Sequence, residues 1–99
     1  MSLILNIKGD FTLQEASEVI REALAYNERI TKYKIKKYSG ICEDFEIKYG
    51  MGSDIFLEKF EAGDLGDDND LFDWYFAKRG LDIWNKRLKI ISATEIRIC

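Results

Sequence analysis

With 99 residues, 46% of them hydrophobic and 33% charged, the sequence suits a single domain over 1–99 with its own packed core, and excludes a disordered tail. There is no His and no Pro, and the two Cys stand 57 positions apart. Those absences remove the commonest general base, His-assisted nucleophiles, His-containing zinc sites and a disulfide framework within the chain.

The net charge of −3 does not advertise nucleic-acid binding. No apolar run reaches the roughly 18 residues of a membrane span, and the start lacks the basic region of a secretory signal. A cytoplasmic protein with reduced thiols, no membrane contact and no cofactor is therefore expected, with Cys42 and Cys99 as packing or bystander residues.

Leu3 to Ile7 alternates loosely between apolar and polar residues before the turn at Gly9-Asp10, which predicts a short strand. Thr12 with Glu15 three places on forms a capping box, and Phe11 is placed to staple onto the first turn. Ala16, Val19, Ala23, Tyr26, Ile30 and Tyr33 then follow at steps of three and four, one apolar face of an amphipathic helix.

Residues 31–38 alternate with period two and suit a strand. Tyr38, Ile41, Phe45 and Tyr49 resume a helical spacing after a register slip. One long helix with a stutter and a helix–strand–helix both fit; we favour the helix, with Ser39-Gly40 as its weak point.

Gly50 is placed to end that element, Ser53 to cap a short helix over Asp54 to Ala62, and Gly63 to stop it. Asp67 or Asp68 caps a third helix, in which Trp74, Ala77, Leu81, Trp84, Leu88 and Ile91 form a heptad seam beside a second stripe of Phe72, Phe76, Ile83 and Ile90. The tail from Ala93 to Cys99 alternates again and predicts a second short strand, able to pair with the first. The fold class expected is mainly α, with a long N-terminal helix, a short middle helix, a C-terminal amphipathic helix and short strands at both termini.

Charge is distributed basic, acidic, basic. Arg29 to Lys37 carries five bases and no acid, Asp54 to Asp73 eight acids and one base, and Lys78 to Lys89 five bases and one acid. Asp64, Asp67, Asp68 and Asp70 are close enough to share a hard cation, which admits a divalent-metal phosphoesterase. The spacing is not that of a calcium loop, however, and acids at a helix start serve the free N–H groups there. Arg29 to Lys37, interleaved with Tyr33 and Tyr38, admits a nucleic-acid-binding regulator, although such runs usually form a solvated face. The aromatic density from Phe56 to Trp84 exceeds what so small a domain buries, and predicts a protein partner or a second copy of the chain.

The run Lys48-Tyr49-Gly50-Met51, Ser53, Phe56, Phe60-Glu61-Ala62-Gly63, Leu65-Gly66-Asp67-Asp68-Asn69-Asp70, Phe72, Trp74 and Ala77 resembles a group of small prokaryotic proteins. Many of these look like the antitoxin halves of toxin–antitoxin pairs. The match covers about a third of the chain.

The resemblance implies a non-catalytic module that neutralises a small toxin encoded beside it, and a single long helix before the motif. It makes Tyr49, Gly50, Met51, Phe56, Phe60, Gly63, Gly66, Phe72 and Trp74 structural. On this reading Asp64, Asp67, Asp68 and Asp70 meet a basic partner surface, Trp74 and Trp84 anchor it, no residue is catalytic or metal-binding, and the protein forms an oligomer.

Overall fold

A computed structural model describes residues 3–97, which form three helices: α1 (Leu13–Tyr49), α2 (Ser53–Glu61) and α3 (Asn69–Ala93). Helix α1 starts where the capping box predicts. Thr12 Oγ1 accepts the Glu15 N–H at 3.0 Å, and Glu15 Oε2 accepts the Thr12 N–H at 3.1 Å. With no Pro to interrupt it, α1 runs for 37 residues, about 55 Å at 1.5 Å per residue. It ends at Gly50, whose left-handed backbone (φ 63°) suits a residue without a side chain while its N–H reaches the Glu46 carbonyl at 2.9 Å.

Residues 31–38 are helical, and the reason is visible in what they bury. Ser17, Ile20, Leu24, Glu28, Thr31, Ile35, Tyr38, Cys42 and Phe45, all buried or half-buried, form an unbroken seam along one side of α1. The apparent stutter comes from joining stripes that lie on different faces. Ala16, Val19, Ala23, Tyr26, Ile30 and Tyr33 do not face the core as their spacing suggests; Val19, Tyr26 and Tyr33 are about two-thirds exposed. The core-facing positions they displace include two hydroxyl residues, which cost little because each bonds to its own helix. Thr31 donates to the Asn27 carbonyl at 2.7 Å and Ser17 to that of Gln14 at 3.4 Å.

Helix α3 returns antiparallel to α1. Tyr38 lies against Gly80, where a Cβ would stand 3.3 Å from its ring, and Arg21 Nη2 donates to the Ile96 carbonyl at 3.2 Å. Gly40 also sits inside a helix, but a Cβ there would meet nothing within 4 Å. The short α2 closes the far end of this hairpin. The molecule measures 59 × 25 × 19 Å with a radius of gyration of 19.2 Å, against about 13 Å for a compact chain of this length.

Two sequence expectations are corrected. Ser53 does not cap α2: Gly52 occupies that position and Ser53 is the first helical residue, its hydroxyl taken by a tryptophan. The terminal strands do not form among the described residues; 3–8 and 94–97 carry no regular structure, and α3 continues to Ala93. Leu3, Ile4, Leu5 and Ile7 are exposed, and a lone two-stranded ribbon with no covering layer is marginal. Ile98 and Cys99 of the expected second strand lie outside the described residues.

Candidate functional site

The far end of the hairpin is built around Trp74, which is wholly buried. Phe56 of α2 stacks on it at 3.9 Å between centroids, with planes 5° apart, and Phe45 and Tyr49 of α1 flank it at 5.7 and 5.6 Å. Its indole N–H donates to Ser53 Oγ at 2.9 Å, and the Ser53 N–H donates to Glu46 Oε2 at 2.8 Å. One tryptophan therefore joins all three helices, with its single polar atom satisfied. Cys42 borders the same core. Burial pushes its thiol above the ordinary cysteine value, the direction opposite to that of a reactive thiolate.

Three ion pairs, made by two lysines, lock this end from outside. Lys48 pairs with Asp70, which also accepts the Tyr49 hydroxyl at 3.2 Å. The hydrogen bond and charge from Lys48 hold the Asp70 carboxyl below its usual range. Lys78, nearly buried, reaches Asp54 at 2.7 Å and Asp82 at 2.9 Å. Burial opposes its charge, but the hydrogen bonds it donates to both carboxylates outweigh that and raise its pKa.

The expected partner-binding residues divide. Asp64, Asp67 and Asp68 are exposed on the connection between α2 and α3, and Asp70 is half-exposed but tied to Lys48. Trp74 is corrected as an anchor, because a side chain with no exposed surface has nothing to offer a partner. Trp84 is half-buried beneath the Arg87 guanidinium, 4.9 Å from its ring.

The aromatic surface at this end comes instead from Phe72 and Phe76, 40% and 64% exposed. Phe60 meets Phe72 edge-on at 5.4 Å and stacks on Tyr75 at 4.8 Å, and Tyr75 meets Phe76 edge-on at 5.7 Å. The spacing had set Phe72 and Phe76 in the second stripe of α3, and that stripe was the available signal. Of the motif residues, Tyr49, Met51, Phe56, Phe60, Phe72 and Trp74 meet around this core, while Gly50, Gly63 and Gly66 take positive φ in the connections.

Among the described residues, no three His, Cys, Asp or Glu side chains are grouped to hold a metal ion. The acids from Asp64 to Asp70 lie on the turning connection between α2 and α3 and at the start of α3 without grouping as a ligand set. The basic segments of α1 and α3 lie at the same height along the hairpin. Between the fixed points Tyr38/Gly80 and Arg21/Ile96, residues 29–37 lie level with 81–89, which adds Lys86, Arg87 and Lys89 to the bases of α1. An open apolar groove of about 400 Å³ lies at the opposite end, lined by Leu3, Leu5, Ile7, Leu13, Ile20 and Ile96 among others. No described helix is long and apolar enough to cross a membrane. No family model, curated protein or solved structure matches the chain.

Proposed function

We propose that this protein is a non-catalytic protein-binding module, similar to an antitoxin, that neutralises a small basic partner by covering its active surface. The observation that carries this reading is the make-up of the far end of the hairpin: exposed carboxylates at Asp64, Asp67 and Asp68 beside the exposed rings of Phe72 and Phe76, on a support made rigid by the Trp74 core. Carboxylates on such a surface speed encounter with a basic partner, and aromatic rings supply the area that slows release.

The test is co-expression with any small reading frame found next to this one, the toxin position implied by the resemblance. The expected result is a stable complex and relief of growth arrest, with Asp67→Lys/Asp68→Lys slowing association and Phe72→Ala/Phe76→Ala speeding dissociation. Absence of both complex and relief overturns the reading.

The basic segments of α1 and α3, level with each other at the middle of the hairpin, favour a second reading, nucleic-acid binding. It predicts a gel shift that weakens steeply with salt and is lost in Lys32→Glu/Lys86→Glu. A shift unaffected by that pair of substitutions refutes it.

A further inference from the structure

Helix α1 carries a complete heptad seam that its own chain does not cover. Ala16, Ala23 and Ile30 occupy one core position, Val19, Tyr26 and Tyr33 the other, and all but the half-buried Ala16 are exposed. We propose that this stripe is the seam of an antiparallel pairing between two copies of the chain, α1 against α1.

Three observations select a second copy as the occupant. The first is area. The surface of the molecule is 7898 Å², whereas a compact monomer of 11.6 kDa exposes about 5,800 Å². The excess of about 2,000 Å² on one chain is larger than the roughly 800 Å² that a standard interface removes from each partner, so there is ample surface for a second copy to cover.

The second observation is shape. In an antiparallel coiled coil each core position faces the other core position of its partner. That register sets Ala16 against the partner's Tyr33, Val19 against the partner's Ile30 and Ala23 against the partner's Tyr26. Every tyrosine meets an alanine, and the branched Val19 and Ile30 meet each other, so the layers are of similar bulk. Around Ala16 there is already an open apolar groove of about 240 Å³, lined by Ile7, Phe11, Val19 and Ile20, in position to take the partner's Tyr33. A parallel pair would instead set tyrosine against tyrosine and alanine against alanine, crowding two layers and underfilling two others.

The third is charge. The flanking heptad position reads Glu15, Glu22, Arg29, Lys36, two acids and then two bases. The same antiparallel register sets Glu22 beside the partner's Arg29 and Glu15 beside the partner's Lys36, each pair occurring twice. In a parallel pair Arg29 would approach the partner's Lys34. Among the described residues Glu22, Arg29 and Lys36 form no ion pair within their own chain. Packing and charge thus choose the same orientation, and the pairing leaves Asp64, Asp67, Asp68, Phe72 and Phe76 at the far ends of the dimer uncovered.

Sedimentation equilibrium and disulfide trapping of the full chain test this, in a Cys99→Ser background where Cys42 stays buried. Residues 19 and 30 of one helix are about 16 Å apart, beyond disulfide reach, so a bond between them joins two chains. Val19→Cys/Ile30→Cys is expected to trap a dimer on mild oxidation, and neither single substitution should. Glu22→Lys should weaken dimerisation at least about tenfold by converting two attractive pairs to repulsive ones, and Glu22→Lys/Arg29→Glu should restore it. The substituted side chains are solvent-exposed, so helicity by circular dichroism should be unchanged.

Single-cysteine variants that trap as well as the double would mean a parallel pair, and a chain sedimenting at 11.6 kDa at every concentration would mean no pair; either overturns the proposal. So does a monomer whose Tyr26→Cys thiol is shielded only when a different protein is added, because the stripe then belongs to that protein.

Discussion

The two halves of the hairpin solve the same packing problem differently. At the closed end, the chain supplies every side of the Trp74 site itself, from Phe45 and Tyr49 of α1, Phe56 of α2 and Ser53 at the start of α2. Along the shaft, the core-facing side of α1 offers Ser17, Leu24 and Thr31 while Val19, Tyr26 and Tyr33 face water. The contrast teaches that a helix can be amphipathic twice, with one face answering to its own chain and the other to a neighbour. The apolar fraction alone does not say which.

Substitutions at the closed end should therefore be costly and those on the shaft's outer face cheap in the isolated chain. Trp74→Ala should cost about 3–5 kcal/mol in urea unfolding, the most of any single change here; a cost like that of an exposed residue would remove the distinction between the halves. Ser53→Ala should cost about 1–3 kcal/mol by leaving the indole N–H buried without an acceptor. That penalty should shrink in a Trp74→Phe background, which a double-mutant cycle measures.

Asp54→Asn/Asp82→Asn should cost about 1 kcal/mol, kept small because both carboxylates are well hydrated. The folded-state pKa of Lys78 is raised, so its contribution is complete below the ordinary lysine value of 10.5 and is lost as pH climbs through the raised one. The wild-type protein should accordingly lose stability on that alkaline limb more than the Asn variant does. Val19→Ser or Tyr33→Ser should change the stability of the isolated monomer by no more than about 0.5 kcal/mol. A large loss would show that the stripe already packs against its own chain.

Much of this arrangement was legible in the residues. The capping box at Thr12 and Glu15, the stop at Gly50 and the breaks around Gly63 and Gly66 are local devices, and local chemistry is what a sequence states openly. The acids of the connection and the crowding of aromatics before and within α3 were equally visible. What misled were choices settled by tertiary contact. The stripe from Ala16 to Tyr33 is more apolar than the seam from Ser17 to Tyr38, yet the seam is buried because it continues in register with Cys42 and Phe45 at the closed end. Trp74, an expected anchor, and Phe72, an expected structural residue, trade places once the helix is placed: the first is interior and the second is 40% exposed. Ser53 resembles a cap by type and position; only the indole opposite reveals that its hydroxyl is already engaged.

Gly40 stands where the two halves meet, inside α1, at a point where a side chain would have open space around its first carbon. A glycine in the middle of a helix weakens it by about 0.5–1 kcal/mol relative to alanine. With nothing packed over it, that loss is not recovered. Hydrogen exchange should follow: amides on the N-terminal side of Gly40 should open in shorter-lived, smaller units than those from Ile41 to Tyr49, giving a step in protection across one residue of an otherwise continuous helix. The molecule would then breathe from its shaft while its closed end holds still, and Gly40→Ala should level the step.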